Sequence, residues 1–170
     1  MPIEEQIKIA ADKFWGETEK RSGLVGRSYL SPMRAKDQFS PDNLWAVERL
    51  FESAEEHGEN QFGGLIDSST LDRRKFSIFD AGSYIGEIVR HFHGEKCKWV
   101  DADAGDEIEL HLPDGKILSP MKFVKEQFTA YKPESFIAWG KNEAMMKIGT
   151  RPKQWIAKFG NLNVINPPRR

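Results

Sequence analysis

A chain of 170 residues with 39% hydrophobic and 30% charged side chains is long enough for one domain with a proper core, and too apolar for a disordered one. Lys and Arg total 25 against 26 Asp and Glu, so the net charge of -1 supplies no global attraction to nucleic acid or acidic lipid. The one cysteine, Cys97, excludes an intramolecular disulfide and favours a reducing compartment; no run approaches the ~18 apolar residues of a membrane span, and the acidic start lacks the features of a signal peptide. The expected location is cytoplasmic, without membrane attachment.

From the N-terminus, Ile3, Ile7, Ala11, Phe14 and Trp15 recur with helical spacing and predict an amphipathic helix over 3–20. Residues 22–39 hold Gly23, Gly26 and Pro32 without a sustained period and form a long connection. Ser40-Pro41 opens a second helix: serine is suited to capping, and proline is tolerated at the first helical position because its missing N–H would be unsatisfied there anyway. Leu44, Val47, Leu50, Phe51 and Ala54 make its apolar face.

A third helix is predicted from about Ser69 to Phe92, with Asp67, Ser68 or Ser69 as its cap. Gly82 and Gly86 lie four apart on one face of it, beside Tyr84 and Glu87. Each glycine inside a helix costs about 1 kcal/mol relative to alanine, so the pair predicts that another element approaches the backbone closely. This is the expected central helix, ended by Gly94.

The period then changes to two. Cys97 and Trp99 alternate with Lys96 and Lys98, and Ile108, Leu110 and Leu112 alternate with Glu107, Glu109 and His111, which predicts a β-hairpin over about 96–112 with one buried face. A loop of Ala102 to Gly105 would pair Trp99 with Ile108 and Lys98 with Glu109. Pro113-Asp114-Gly115 is a turn, and Lys116–Leu118 a third short strand. Ser119-Pro120 repeats the Ser-Pro helix start, Pro133 to Ile148 reads as a further helix, and Trp155, Ile156 and Phe159 as a short last one. The chain is expected to be a single α+β domain over 1–165, helices packed on a small antiparallel sheet, with a mobile basic tail at 166–170.

The chemistry is sparse. The acidic run Asp101, Asp103, Asp106, Glu107, Glu109 fails the calcium-loop pattern, because Gly105 stands fifth, Asp106 sixth and Leu112 twelfth. His91, His93 and Cys97, with His111, have plausible zinc-ligand types, but positions two apart on a helix diverge and no C-x2-C pair is present. No metal or other cofactor is expected. Cys97 shares the buried face with Trp99, away from both flanking lysines, which makes it an inert thiol. Glu87 reads as a structural ion pair with Arg90 or a hairpin lysine. No P-loop, dinucleotide fingerprint, H-E-x-x-H or G-x-S-x-G occurs.

The set Gly82-Ser83-Tyr84-Ile85-Gly86-Glu87, then Trp99, then Leu112-Pro113-Asp114-Gly115 and Ser119-Pro120-Met121 resembles an uncharacterised family of small bacterial proteins. Its members carry a G-A-Y-x-G-E helix, a tryptophan-bearing strand and a short sheet closing on a helix. The likeness covers roughly residues 71–128, with Ser83 where the pattern has alanine. It implies a bacterial cytoplasmic α+β protein and carries over no activity.

Between Glu95 and Asp114 the acids Asp101, Asp103, Asp106, Glu107 and Glu109 face only Lys96 and Lys98, and such an asymmetry steers basic partners. The expected function is therefore a non-enzymatic protein-binding module, an immunity or accessory protein binding its partner through those five acids. The first alternative is a small hydrolase-like enzyme using Glu87, Tyr84 and a histidine in a cleft at the glycine stripe. The second is nucleic-acid binding through the basic, aromatic C-terminal segment, where Lys141, Lys147, Arg151, Lys153, Lys158, Arg169 and Arg170 face the single acid Glu143. Docking of Trp155, Ile156 and Phe159 onto the core is the simpler use of that segment.

Overall fold

The computed structural model describes residues 1–24, 38–57, 65–66, 76–102 and 107–151. They form an α+β fold of five helices, a three-stranded antiparallel sheet and one short parallel strand pair. The expected last helix at Trp155–Phe159, the basic tail and the hairpin residues 103–106 lie outside the described residues.

Helix α1 spans Ile3–Leu24 and carries Glu4 and Glu5 in its first turn, where the helix dipole favours acids. It buries Ile7, Ala10, Ala11 and Phe14. A 3₁₀ turn, Pro41–Asn43, leads into α2 over Leu44–His57. The expected Ser40 cap is corrected here: its hydroxyl makes no capping bond, and its carbonyl accepts from Asn43 N–H at 2.9 Å instead. Ser119 behaves in the same way, with its carbonyl accepting from Phe123 N–H at 3.0 Å. In both Ser-Pro starts the proline supplies the helix-compatible φ, and the serine hydroxyl takes no part in the cap.

Strands β1 (Leu65–Ile66) and β2 (Phe76–Ser77) pair in parallel. Helix α3 therefore begins at Ile78 and runs to His93, rather than starting near Ser69. The cap is Ser77, whose hydroxyl accepts from Asp80 N–H at 3.0 Å while Asp80 Oδ2 accepts from Ser77 N–H at 3.0 Å. This reciprocal box satisfies two of the donors a helix start leaves open. Asp80 also takes Lys13 Nζ at 3.1 Å, tying α1 to the start of α3. Further along the same interface Phe14 stacks on Tyr84 with ring centroids 5.2 Å apart. Gly94 ends α3 at φ 85°, a conformation that L side chains resist.

The sheet has the order β3 (Lys98–Asp101), β4 (Ile108–His111), β5 (Ile117–Leu118). The hairpin register differs from expectation by two residues: Trp99 opposes Leu110, Lys98 opposes His111 and Val100 opposes Glu109. Because side chains alternate with period two, such a shift preserves the faces, and Trp99, Leu110 and Leu118 still point into the core. It does cancel the Lys98–Glu109 pairing. Ala102 N–H donates to the Glu107 carbonyl at 3.1 Å, so the loop is carried one position further along each strand. At the next turn Gly115 adopts φ 92° and Lys116 N–H donates to Asp114 Oδ1 at 3.0 Å.

Helix α4 covers Pro120–Thr129. The helix expected over 133–148 is much shorter: α5 holds Ser135–Ala138 and passes into a single π-helical turn at Trp139–Glu143. Glu134 and Met145, at φ 59° and 57°, bound this stretch with left-handed backbone. The core joins Phe14, Phe51, Tyr84, Trp99, Val124 and Phe136 with their neighbours from all five helices and the sheet.

Candidate functional site

The glycine stripe of α3 is where the hairpin and α4 are seated. A Cβ on Gly82 would lie 2.8 Å from the Cα of Met121, so the α4 backbone itself sits on this glycine. A Cβ on Gly86 would overlap the six-membered ring of Trp99, with Pro120 Cγ at 3.2 Å beside it. Trp99 is 4% exposed, and its indole N–H donates to Glu87 Oε2 at 2.9 Å. Glu87, 3% exposed, also accepts from Arg90 Nε at 2.6 Å and Arg90 Nη2 at 3.2 Å. One carboxylate thus satisfies a buried indole and holds a guanidinium in a fork, the geometry in which such pairs are strongest. The hydrogen bond to Glu87 is the first cause of the raised Arg90 pKa, and burial works against it.

Of the sequence-selected residues, Gly82, Gly86, Glu87 and Trp99 are brought together as one junction, whereas Tyr84 packs against Phe14, Trp15 and Phe39. Tyr84 donates its hydroxyl proton to the Gln38 carbonyl at 2.7 Å. The cleft that a hydrolase would need on this face is filled by Met121, Trp99 and Pro120.

The histidines separate. His91 stacks on Phe39 at 4.4 Å, His93 Nε2 donates to the Ala144 carbonyl at 2.7 Å, and His111 Nε2 lies 3.1 Å from Glu109 Oε1. Among the described residues no three metal-ligating side chains are gathered. Cys97 is 2% exposed, and burial pushes its thiol up to about 11, against the pull of Arg90. That disfavours the reactive thiolate.

Asp101 and Glu107 are exposed, Glu109 is half-buried beside His111, and Asp103 and Asp106 lie outside the described residues. Lys98 is exposed opposite His111.

A further buried carboxylate is not among the sequence-selected residues. Glu48, on α2, is fully buried. Tyr131 donates its hydroxyl proton to Glu48 Oε2, while Oε1 accepts from Phe136 N–H at 3.0 Å and Ile137 N–H at 3.3 Å. Burial raises the carboxyl from 4.5 to about 7; the tyrosine and the two amides oppose this, and the Glu52 charge adds to it. The same burial, with Glu48 as neighbour, pushes the Tyr131 hydroxyl up as well. The available signal was a charge inside an apolar stripe: Leu44, Glu48 and Phe51 follow one another at helical spacing.

The basic C-terminal segment is described as far as Arg151, which forks onto Glu52 at 2.8 and 3.1 Å and lies 4.8 Å above the Trp45 ring. No described helix is long and apolar enough to cross a membrane. Comparison with protein-family models, with curated proteins and with solved structures returns no match for this chain.

Proposed function

We propose that the chain is a non-enzymatic protein-binding module, of the accessory or immunity kind, that meets a basic partner surface with its acidic hairpin. The observation that carries this reading is the way the hairpin is held. Trp99 roots β3 over Gly86 and on Glu87, while Asp101 and Glu107 remain exposed at the far end of the same two strands. A charged surface on a rigid root gives up little conformational freedom on binding, and its field raises the association rate of a basic partner. By the resemblance over roughly residues 71–128 we also infer that the chain is one of the small bacterial cytoplasmic proteins.

The test is charge reversal. A partner captured by the immobilised chain should associate more slowly as salt rises, with about a tenfold loss across the physiological range. Reversal of Asp103, Asp106 and Glu107 to lysine should remove both the fast association and its salt dependence. Binding left intact by the reversal contradicts the proposal. A gel shift at low salt, lost on substitution of Lys153 and Lys158, would favour the nucleic-acid alternative instead.

A further inference from the structure

The tether between α2 and α5 has an unusual construction. Among the described residues Glu48 receives three hydrogen bonds, all from neutral donors: the Tyr131 hydroxyl and the amides of Phe136 and Ile137. None of these donors is a cation. The charged neighbour one turn along α2 is Glu52, which is itself held by Arg151 from the C-terminal segment. From the α4–α5 connection the facing titratable group is Tyr131, and α5 contributes backbone amides alone. A fully buried carboxyl in this setting pays for desolvation when it ionises without recovering the cost from an opposite charge. When protonated it keeps Oε1 for both amides and uses its own O–H towards Tyr131, so neutralisation breaks no bond to α5.

We propose that Glu48, Tyr131 and the amides of Phe136 and Ile137 form a proton-operated latch that holds the segment from Tyr131 to Ala138 onto α2 and loosens when Glu48 ionises. The sign follows from linkage. The carboxyl is raised in the folded state, from 4.5 to about 7, so its favourable contribution is fully present below 4.5 and is lost as pH rises through about 7. The latch is closed in mild acid and strained in mild base. Beyond α5 the same stretch of chain supplies the Asn142 carbonyl and Glu143, which hold Lys116 at 3.3 and 3.0 Å, and the Ala144 carbonyl bound by His93. Loosening therefore acts on a segment that also braces the sheet and the end of α3.

The test compares the wild-type chain with Glu48→Gln, which keeps an acceptor for the two amides and removes the charge. In urea unfolding between pH 5 and pH 8.5, the ratio of the variant's folding constant to that of wild type should rise by on the order of a hundredfold. A ratio that stays constant across this range overturns the proposal. Carboxyl NMR of the wild-type chain reads the same group directly and needs no folded variant: a Glu48 midpoint near 7 supports the latch, and one below 5.5 overturns it. Glu52→Gln should lower that midpoint, and an unchanged or raised midpoint counts against the electrostatic account. Hydrogen exchange separates a latch from a passive buried acid. The opening equilibrium of the Phe136 and Ile137 amides should rise above pH 7 relative to that of Ile88, and parallel behaviour of all three amides contradicts the latch.

Discussion

Glu48 and Glu87 are both buried glutamates on helices, and their surroundings differ in one respect. Glu87 has a guanidinium: Arg90 forks onto it, and the Trp99 indole completes its shell. Glu48 has a phenol and two amides, with a second carboxylate one turn away. The first arrangement compensates a charge and fixes the hairpin to α3. The second compensates hydrogen-bonding capacity and, among the described residues, supplies no opposite charge, so its worth depends on pH. Burial alone does not decide what a carboxylate does for a fold; the charge of its partners does.

The largest expected effect comes from breaking the Glu87 arm at its base. Gly86→Ala places a methyl group where the Trp99 ring sits and displaces the indole from Glu87, which should cost about 3 kcal/mol in urea unfolding. Trp99 fluorescence should move to the red, since the ring gains water. On the Glu48 arm, Tyr131→Phe removes the hydroxyl donor, and the loss should be about 2 kcal/mol at pH 8 and smaller at pH 5, where a neutral carboxyl has less need of it. Equal costs at the two pH values would contradict the unpaired-charge account. Smallest of all, Asp101→Lys with Glu107→Lys should change stability by no more than about 0.5 kcal/mol, because exposed substitutions away from packed features rarely do more. A large loss there would mean that the hairpin tip, rather than its root, carries the fold.

The Glu87 arm was legible before the structure. Two glycines four apart can only share a helix face, a tryptophan on the apolar side of an alternating strand can only point inward, and Glu87 with Arg90 is a helical neighbour pair. The structure departs from the sequence pattern where a period constrains a face but not a position. The hairpin slipped by two residues because a shift of two leaves every side chain on its own face. The sequence pattern extends α3 too far upstream, because Leu71, Ile78 and Phe79 share a helical spacing that does not show where hydrogen bonding begins. The S-x-x-D pattern of Ser77 and Asp80 marks the true cap. The segment after Pro133 has the apolar spacing of one helix, while the left-handed residues Glu134 and Met145 that interrupt it are not residue types that announce such backbone. Glu48 is inconspicuous in the sequence because the apolar residues around it, taken alone, already make a complete helix face.

The central claim is that these two glutamates have opposite energetic signs. It is tested most directly by urea unfolding of Glu48→Gln and Glu87→Gln side by side at pH 8. Glu87→Gln sets an amide N–H against Arg90 and removes its counter-charge, which should destabilise by about 2 kcal/mol even with Arg90 partly solvated. Glu48→Gln removes a buried charge while keeping an acceptor for Phe136 and Ile137, and should leave the chain more stable than wild type at this pH. Shifts of opposite sign are the predicted result; two variants destabilised alike would contradict it.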